Sequence, residues 1–237
     1  VDVGVADSDM DVYDAHDTLS LGLPSPKLMA WSVHNAFLKR GYAVGCVHPS
    51  DDLSDLKAYV IPHWALFNEA WIPNLEAYVE SGGLLVIGAR TATKNWQNNV
   101  VAETPPGALA RLAGVRVAEY GRQNAPEKRP LGIRLLRPEK VTVPTEHWYE
   151  QLDILPGAHT VGRWDGRHIN LKPAITLRSM GDGGVMYVGS YLTTPLVEAL
   201  IPVLQLHVDG LAPIWPAAPE GVQVVVRESA EKRLWFF

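Results

Sequence analysis

One cysteine, Cys46, is present in 237 residues. No intramolecular disulfide can form, and no cluster of thiolate ligands can be built around a metal. Long apolar runs are missing too. None approaches the roughly 20 residues that a membrane-spanning helix requires, so no membrane partner is expected. Basic tracts are equally absent. Lys and Arg number 21 against 26 Asp and Glu, giving a net charge of −5 and an isoelectric point near 5.9. Without a stripe of cations to neutralise phosphates, nucleic acid is not an expected partner. The mild acidity reads as a solvated surface, and a lone thiol fits a cytoplasmic protein.

What is present is an average globular composition, 47% hydrophobic and 20% charged. A chain of this length can bury a sizeable core without staples. Its first residues, Val1 to Ala6, show neither an initiator methionine nor a charged targeting region. Its last, Arg233 to Phe237, stop inside an apolar run. Both ends are expected to be cuts within a longer polypeptide.

Short apolar runs bounded by turn residues predict buried strands at Val1–Asp7, Ala43–Val47, Ala58–Ile61 and Leu84–Ile87, the first running into a polar acidic loop at Asp7–Asp11. Between them, Ser25-Pro26 starts a helix whose Met29, Val33, Ala36 and Phe37 share a face, ending at Gly41. A second helix lies between Asn68 and Ser81, with Leu75, Tyr78 and Val79 as its stripe. Further on come a long polar loop over Ala89–Pro106, a short helix at Gly107–Ala113, a strand at Val115–Glu119 and an irregular connection over 121–130. Residues 131–177 read as a β-rich excursion. A strand at Val185–Gly189 and a helix capped by Thr194 and running to about Val208 follow. This order predicts an α/β fold, a doubly wound, mainly parallel sheet of the flavodoxin-like kind, over residues 1–210. Residues 211–237, with three prolines before Glu220, read as a linker and the first hairpin of another β domain.

Few residues promise chemistry. Cys46 lies in a predicted strand two residues from His48, so both side chains share a face. Used as a nucleophile it would make this a free-standing hydrolase, but a small, inert core cysteine is the plainer expectation. His16 stands among Asp9, Asp11, Asp14 and Asp17, without the turn glycine and terminal glutamate of a calcium loop. An acidic surface loop is expected there, not a metal site. Gly181-Asp-Gly-Gly184 precedes a strand, so it offers no helix N-terminus to a phosphate and reads as a turn between antiparallel strands. The loop Arg90–Asn99 is the richest segment: Trp96 as a platform, Asn98 and its neighbours as amides, Arg90 and Lys94 as cations. Such a mixture suits a sugar or a neighbouring subunit, at the end of a strand where open α/β sheets bind ligands. No catalytic residue, cofactor site or metal site is expected.

Several segments together resemble the middle domain of family 42 glycoside hydrolases, most of them β-galactosidases. These are Leu75–Ile87 with its helix, Gly-Gly and strand, Pro106–Val117, Gly183–Leu192, and Glu220–Val224 with Arg233–Phe237. The resemblance covers most of the chain in the right order. It implies a class I glutamine-amidotransferase-like fold serving as a homotrimerisation domain beside a catalytic barrel in the same polypeptide. It also implies that the two glutamates performing retaining hydrolysis belong to that barrel. The sequence departs from the pattern twice. Asp9–Asp14 stands where the family is rich in tryptophan, and Ala89-Arg90 stands where amidotransferases carry their elbow cysteine. Two other functions remain open at this stage: a cysteine-dependent amidotransferase-like hydrolase using Cys46, and a carbohydrate-binding module using the Arg90–Asn99 loop.

Overall fold

The computed structural model describes residues 1–17, 20–123, 131–216, 218–219 and 222–237. Its first half contains β1 (Val3–Val5), α1 (Met10–Asp17), α2 (Pro26–Lys39), β2 (Val44–Cys46), β3 (Ala58–Ile61), α3 (Ile72–Glu80), β4 (Leu84–Gly88) and α4 (Ala110–Ala113). Next come β5 (Val115–Arg122), β6 (Gly132–Leu135), β7 (Thr142–Pro144), β8 (Trp148–Ile154), β9 (Ala158–Asp165) and β10 (Pro173–Met180). The chain closes with β11 (Gly183–Val188), α5 (Thr194–Gln205), β12 (Val225–Glu228) and β13 (Arg233–Phe236).

Nine strands form one sheet in the order β2-β1-β3-β4-β11-β10-β9-β6-β7. The first five run parallel. From β10 onward every pair is antiparallel. The β-rich stretch 131–177 is therefore no separate excursion: most of its strands continue the main sheet, while β8 pairs with β5 as a two-stranded ribbon. Within the parallel half, side chains alternate between two cores. Val3, Val5, Leu84 and Val86 face α2 and α5, whereas Tyr59, Ile61, Leu85 and Ile87 face α1, α3 and α4. Burial on both faces is why these strands read as unbroken apolar runs.

Local chemistry explains the helices. Ser25 Oγ accepts from Leu28 N at 3.2 Å, with Pro26 in the first turn of α2. The acidic segment expected as a loop is instead α1: Asp9 Oδ1 accepts from Val12 N at 3.1 Å, and Val12 and Ala15 bury one face. Thr194 is not the cap of α5. Thr193 holds that position without a side-chain bond, and the Thr194 hydroxyl donates to Ser32 O at 3.4 Å. β12 and β13 form the predicted antiparallel hairpin. Residues 124–130 of the irregular connection and Ala217, Glu220 and Gly221 of the linker lie outside the described residues.

At the end of β4 the backbone passes very close to the β3 exit. A Cβ placed on Gly88 would stand 2.0 Å from Pro62 O, so one of two backbones would have to shift. Gly88→Ala is expected to lower the unfolding free energy by about 3 kcal/mol, the upper end of overpacking costs. Urea denaturation reads this, and an unchanged midpoint would contradict the close approach.

Candidate functional site

The parallel strands end at a rim where β4 delivers Ala89 and then Arg90, whose φ is 63°. The cost of the left-handed region for a residue with a Cβ marks this turn as over-determined by its surroundings. Those surroundings extend strand pairing into the loop: Ala92 N donates to Trp64 O at 2.9 Å and Lys94 N to Ala65 O at 2.8 Å. The segment read as a polar loop is thus tied to the β3 exit by its backbone.

That tethering sends the four predicted site residues in different directions. The Arg90 guanidinium lies 5.1 Å from the Trp148 ring centre and donates to Tyr191 Oη at 3.3 Å. Lys94 is buried, and its ammonium donates to Ala15 O at the end of α1, 2.8 Å away. Burial, with the Arg90 charge second, holds the Lys94 pKa below its ordinary value. Trp96 is half-buried and meets Trp71 edge-on at 5.4 Å. Trp71 in turn packs on Trp64, Phe67 and His48. Asn98 Oδ1 is buried with no hydrogen-bond partner among the described residues. The four residues do not converge on one surface.

The polar centre of the rim is Glu150, on β8 and buried. Its Oε1 accepts from Arg90 N at 3.1 Å and Trp148 Nε1 at 3.1 Å. Its Oε2 accepts from Tyr187 Oη at 2.8 Å. Burial pushes the carboxyl pKa up, and these donors pull it back. Beside it, His63 is fully enclosed, with Nδ1 3.1 Å from Ala89 O and Nε2 3.2 Å from Tyr191 Oη. Burial, helped by the Arg90 charge, lowers its pKa to about 3. A neutral imidazole and a carboxylate engaged by three protein donors hold β4, β8 and β11 together. They leave no acid and base poised on an open surface.

Cys46 departs from expectation. The structure exposes it, because β2 is an edge strand of the sheet. Its Sγ lies 3.4 Å from Asp7 Oδ2. His48 does not pair with it; its Nε2 meets Asp9 Oδ2 at 3.0 Å. Partial burial, then the bond and charge of Asp7, raise the thiol pKa, the reverse of what a nucleophile needs. At neutral pH the folded chain should therefore react with iodoacetamide several-fold more slowly than free cysteine, and Asp7→Asn should speed it. Alkylation faster than free cysteine would contradict this environment. His16 is buried, with Nε2 3.3 Å from Leu23 O. The described residues contain no group of three or more His, Cys, Asp and Glu able to hold a metal, and no helix among them is long and apolar enough to cross a membrane.

Sequence reading missed Glu150 and His63. A charged residue inside Trp148-Tyr149-Glu150, flanked by aromatics in a strand, was the available signal. His63 between Pro62 and Trp64 offered a weaker one.

Comparison with known proteins bears on the whole chain. The family model described as "Beta-galactosidase trimerisation domain" matches residues 24–209. The β-galactosidase Bga of Halorubrum lacusprofundi is 30% identical over 205 residues, 79% of this chain and 28% of that protein. BgaH of Haloferax lucentense is 29% identical over 239 residues, 93% of this chain and 34% of that protein. This chain thus spans about a third or less of the relatives it matches. In three dimensions the β-galactosidase from Bacillus circulans sp. alkalophilus superposes with a TM-score of 0.90 at 17% identity, covering 99% of this chain and 35% of that one. That last likeness shows the fold alone. With the family model matched over most of its length and the same α/β architecture found in solved structures, the chain belongs to the β-galactosidase trimerisation-domain family.

Proposed function

We propose that this chain is the non-catalytic assembly domain of a β-galactosidase-type glycoside hydrolase, associating as a homotrimer and carried beside a catalytic barrel in the same polypeptide. The observation that carries the reading is the family match over residues 24–209. The rim supports it: its titratable groups are spent on each other, with Glu150 held by three donors and His63 neutral. Hydrolysis of terminal β-galactosides with retention would then belong to two glutamates of the barrel, about 5 Å apart. The strand order β2-β1-β3-β4-β11 supports a flavodoxin-like parallel half related to class I glutamine amidotransferases. Arg90, with φ 63° directly after β4, stands at the position that the resemblance gives to the amidotransferase cysteine, so that chemistry has no nucleophile here. Residues 1–210 form the assembly domain in this reading, and 211–237 lead into a second β domain. The Arg90–Asn99 loop serves subunit contact: Arg90, Lys94, Trp96 and Asn98 brace it from within, while Gln97, Asn99 and Val100 face outward. Cytoplasmic residence fits the free thiol of Cys46.

The test is turnover. The isolated chain incubated with a chromogenic β-galactoside should release nothing above buffer, and a catalytic rate from the chain alone would overturn the reading.

A further inference from the structure

Away from the rim, β9, the segment after β6 and the end of α5 line a solvent-facing hollow of about 330 Å³, with Arg137, His159 and His207 exposed at its mouth. Leu136, Val161 and Val203 make its apolar wall. Every charged or titratable side chain lining it is a cation or can become one: Arg137, His159 and His207, with the Thr160 hydroxyl beside them. No carboxylate lines it. Some other arginines are neutralised by carboxylates, as Arg134 is by Asp165 at 2.8 Å and Arg40 by Glu198 at 3.2 Å. Arg137, His159 and His207 have no such partner among the described residues.

We propose that this cavity binds a tetrahedral dianion, a phosphate or the phosphate group of a small phosphomonoester. A guanidinium presents paired N–H donors that match such oxygens, and charge-assisted bonds of this type are about twice as strong as neutral ones. The imidazoles supply two further donors once protonated. The groups also oppose one another: after burial, the charges of His159 and Arg137 hold the His207 pKa down. A bound dianion removes that repulsion, so it binds more tightly as the imidazoles gain protons. The three facing elements contribute no other titratable side chain to the cavity: Arg137 comes from the segment after β6, His159 from β9 and His207 from beyond α5. The volume sits at the lower end of organic-ligand pockets, roughly 300–1,000 Å³, leaving room for a small body against the apolar wall.

The test uses the 237-residue chain and the imidazole proton resonances of His159 and His207, assigned with His159→Gln. Sulfate, a dianion throughout this range, is titrated at about pH 5.5 and pH 8 with chloride balancing ionic strength. Saturable shifts at millimolar sulfate are expected, at least about tenfold tighter at the lower pH. Arg137→Met, with unchanged far-ultraviolet circular dichroism, should weaken binding by about tenfold or more. Shifts that match chloride, or that survive Arg137→Met unchanged, would overturn the site. Inorganic phosphate and glycerol 3-phosphate, compared at neutral pH, separate the two sources. Tighter binding of glycerol 3-phosphate supports a phosphomonoester, and equal binding supports free phosphate; saturation by neither overturns the site.

Discussion

Glu150→Ala is expected to lower the unfolding free energy by about 3–5 kcal/mol at neutral pH, because several buried donors lose their acceptor at once. Three donors depend on this one carboxylate: Arg90 N, Trp148 Nε1 and Tyr187 Oη. They come from the β4 exit, β8 and β11, so the loss would be felt across the centre of the sheet. Each donor left unpaired in a water-free site costs about 1–3 kcal/mol, and the cavity adds to that. Glu150→Gln keeps the shape and one acceptor oxygen but turns an amide NH2 toward one of the donors, so it should cost roughly half as much. Urea unfolding followed by tryptophan fluorescence measures both. A loss below about 1 kcal/mol for Glu150→Ala would mean that the three donors find other partners.

Acid should destabilise the fold through His63. Burial lowers its folded pKa to about 3, against the ordinary 6.5 of an exposed imidazole. Between those two values the unfolded chain holds a proton that the folded chain refuses. Stability is therefore fully retained above about pH 6.5 and falls as pH drops toward 3. At about 1.4 kcal/mol for each unit of difference, the loss reaches roughly 4–5 kcal/mol at the acid end. His16, its pKa also lowered chiefly by burial, adds in the same direction. Carboxylates with depressed values, such as Asp165 held by Arg134, steepen the fall below about pH 4. The contribution of His63 is isolated by His63→Gln. This variant should be less stable at neutral pH, because Ala89 O and Tyr191 Oη lose geometry, yet show a clearly shallower slope between about pH 6 and pH 4. Parallel curves for the two proteins over that window would contradict the buried neutral imidazole.

Legibility in the sequence followed the range of the interactions. β3 was readable to the residue, and β4 nearly so, because strands buried on both faces are continuous apolar runs closed by Pro62 and by Gly88. The β10–β11 hairpin was visible in Gly181-Asp182-Gly183-Gly184, whose register pairs Met180 with Gly183. α2 announced itself through Ser25, Pro26 and the spacing of its buried face. α1 did not, since only Val12 and Ala15 mark its apolar side and the acidic residues dominate the pattern. Cys46 was misread because a three-residue strand carries no sign of whether it lies at an edge or a centre. Only the strand order decides that, and the order depends on distant crossovers. The Arg90–Asn99 loop had the right residue types for a sugar site. Their directions were set by Trp71, Ala15 and Tyr191, none of them local. Glu150 was least legible: its role needs positions 90, 148 and 187 at once.

The most direct measurement of the central claim is the mass of the chain in solution, by sedimentation equilibrium at tens of micromolar. Assembly through this domain predicts a species of three times the 26.0 kDa of one chain, dissociating only on dilution. A strict monomer across the whole concentration range would contradict it.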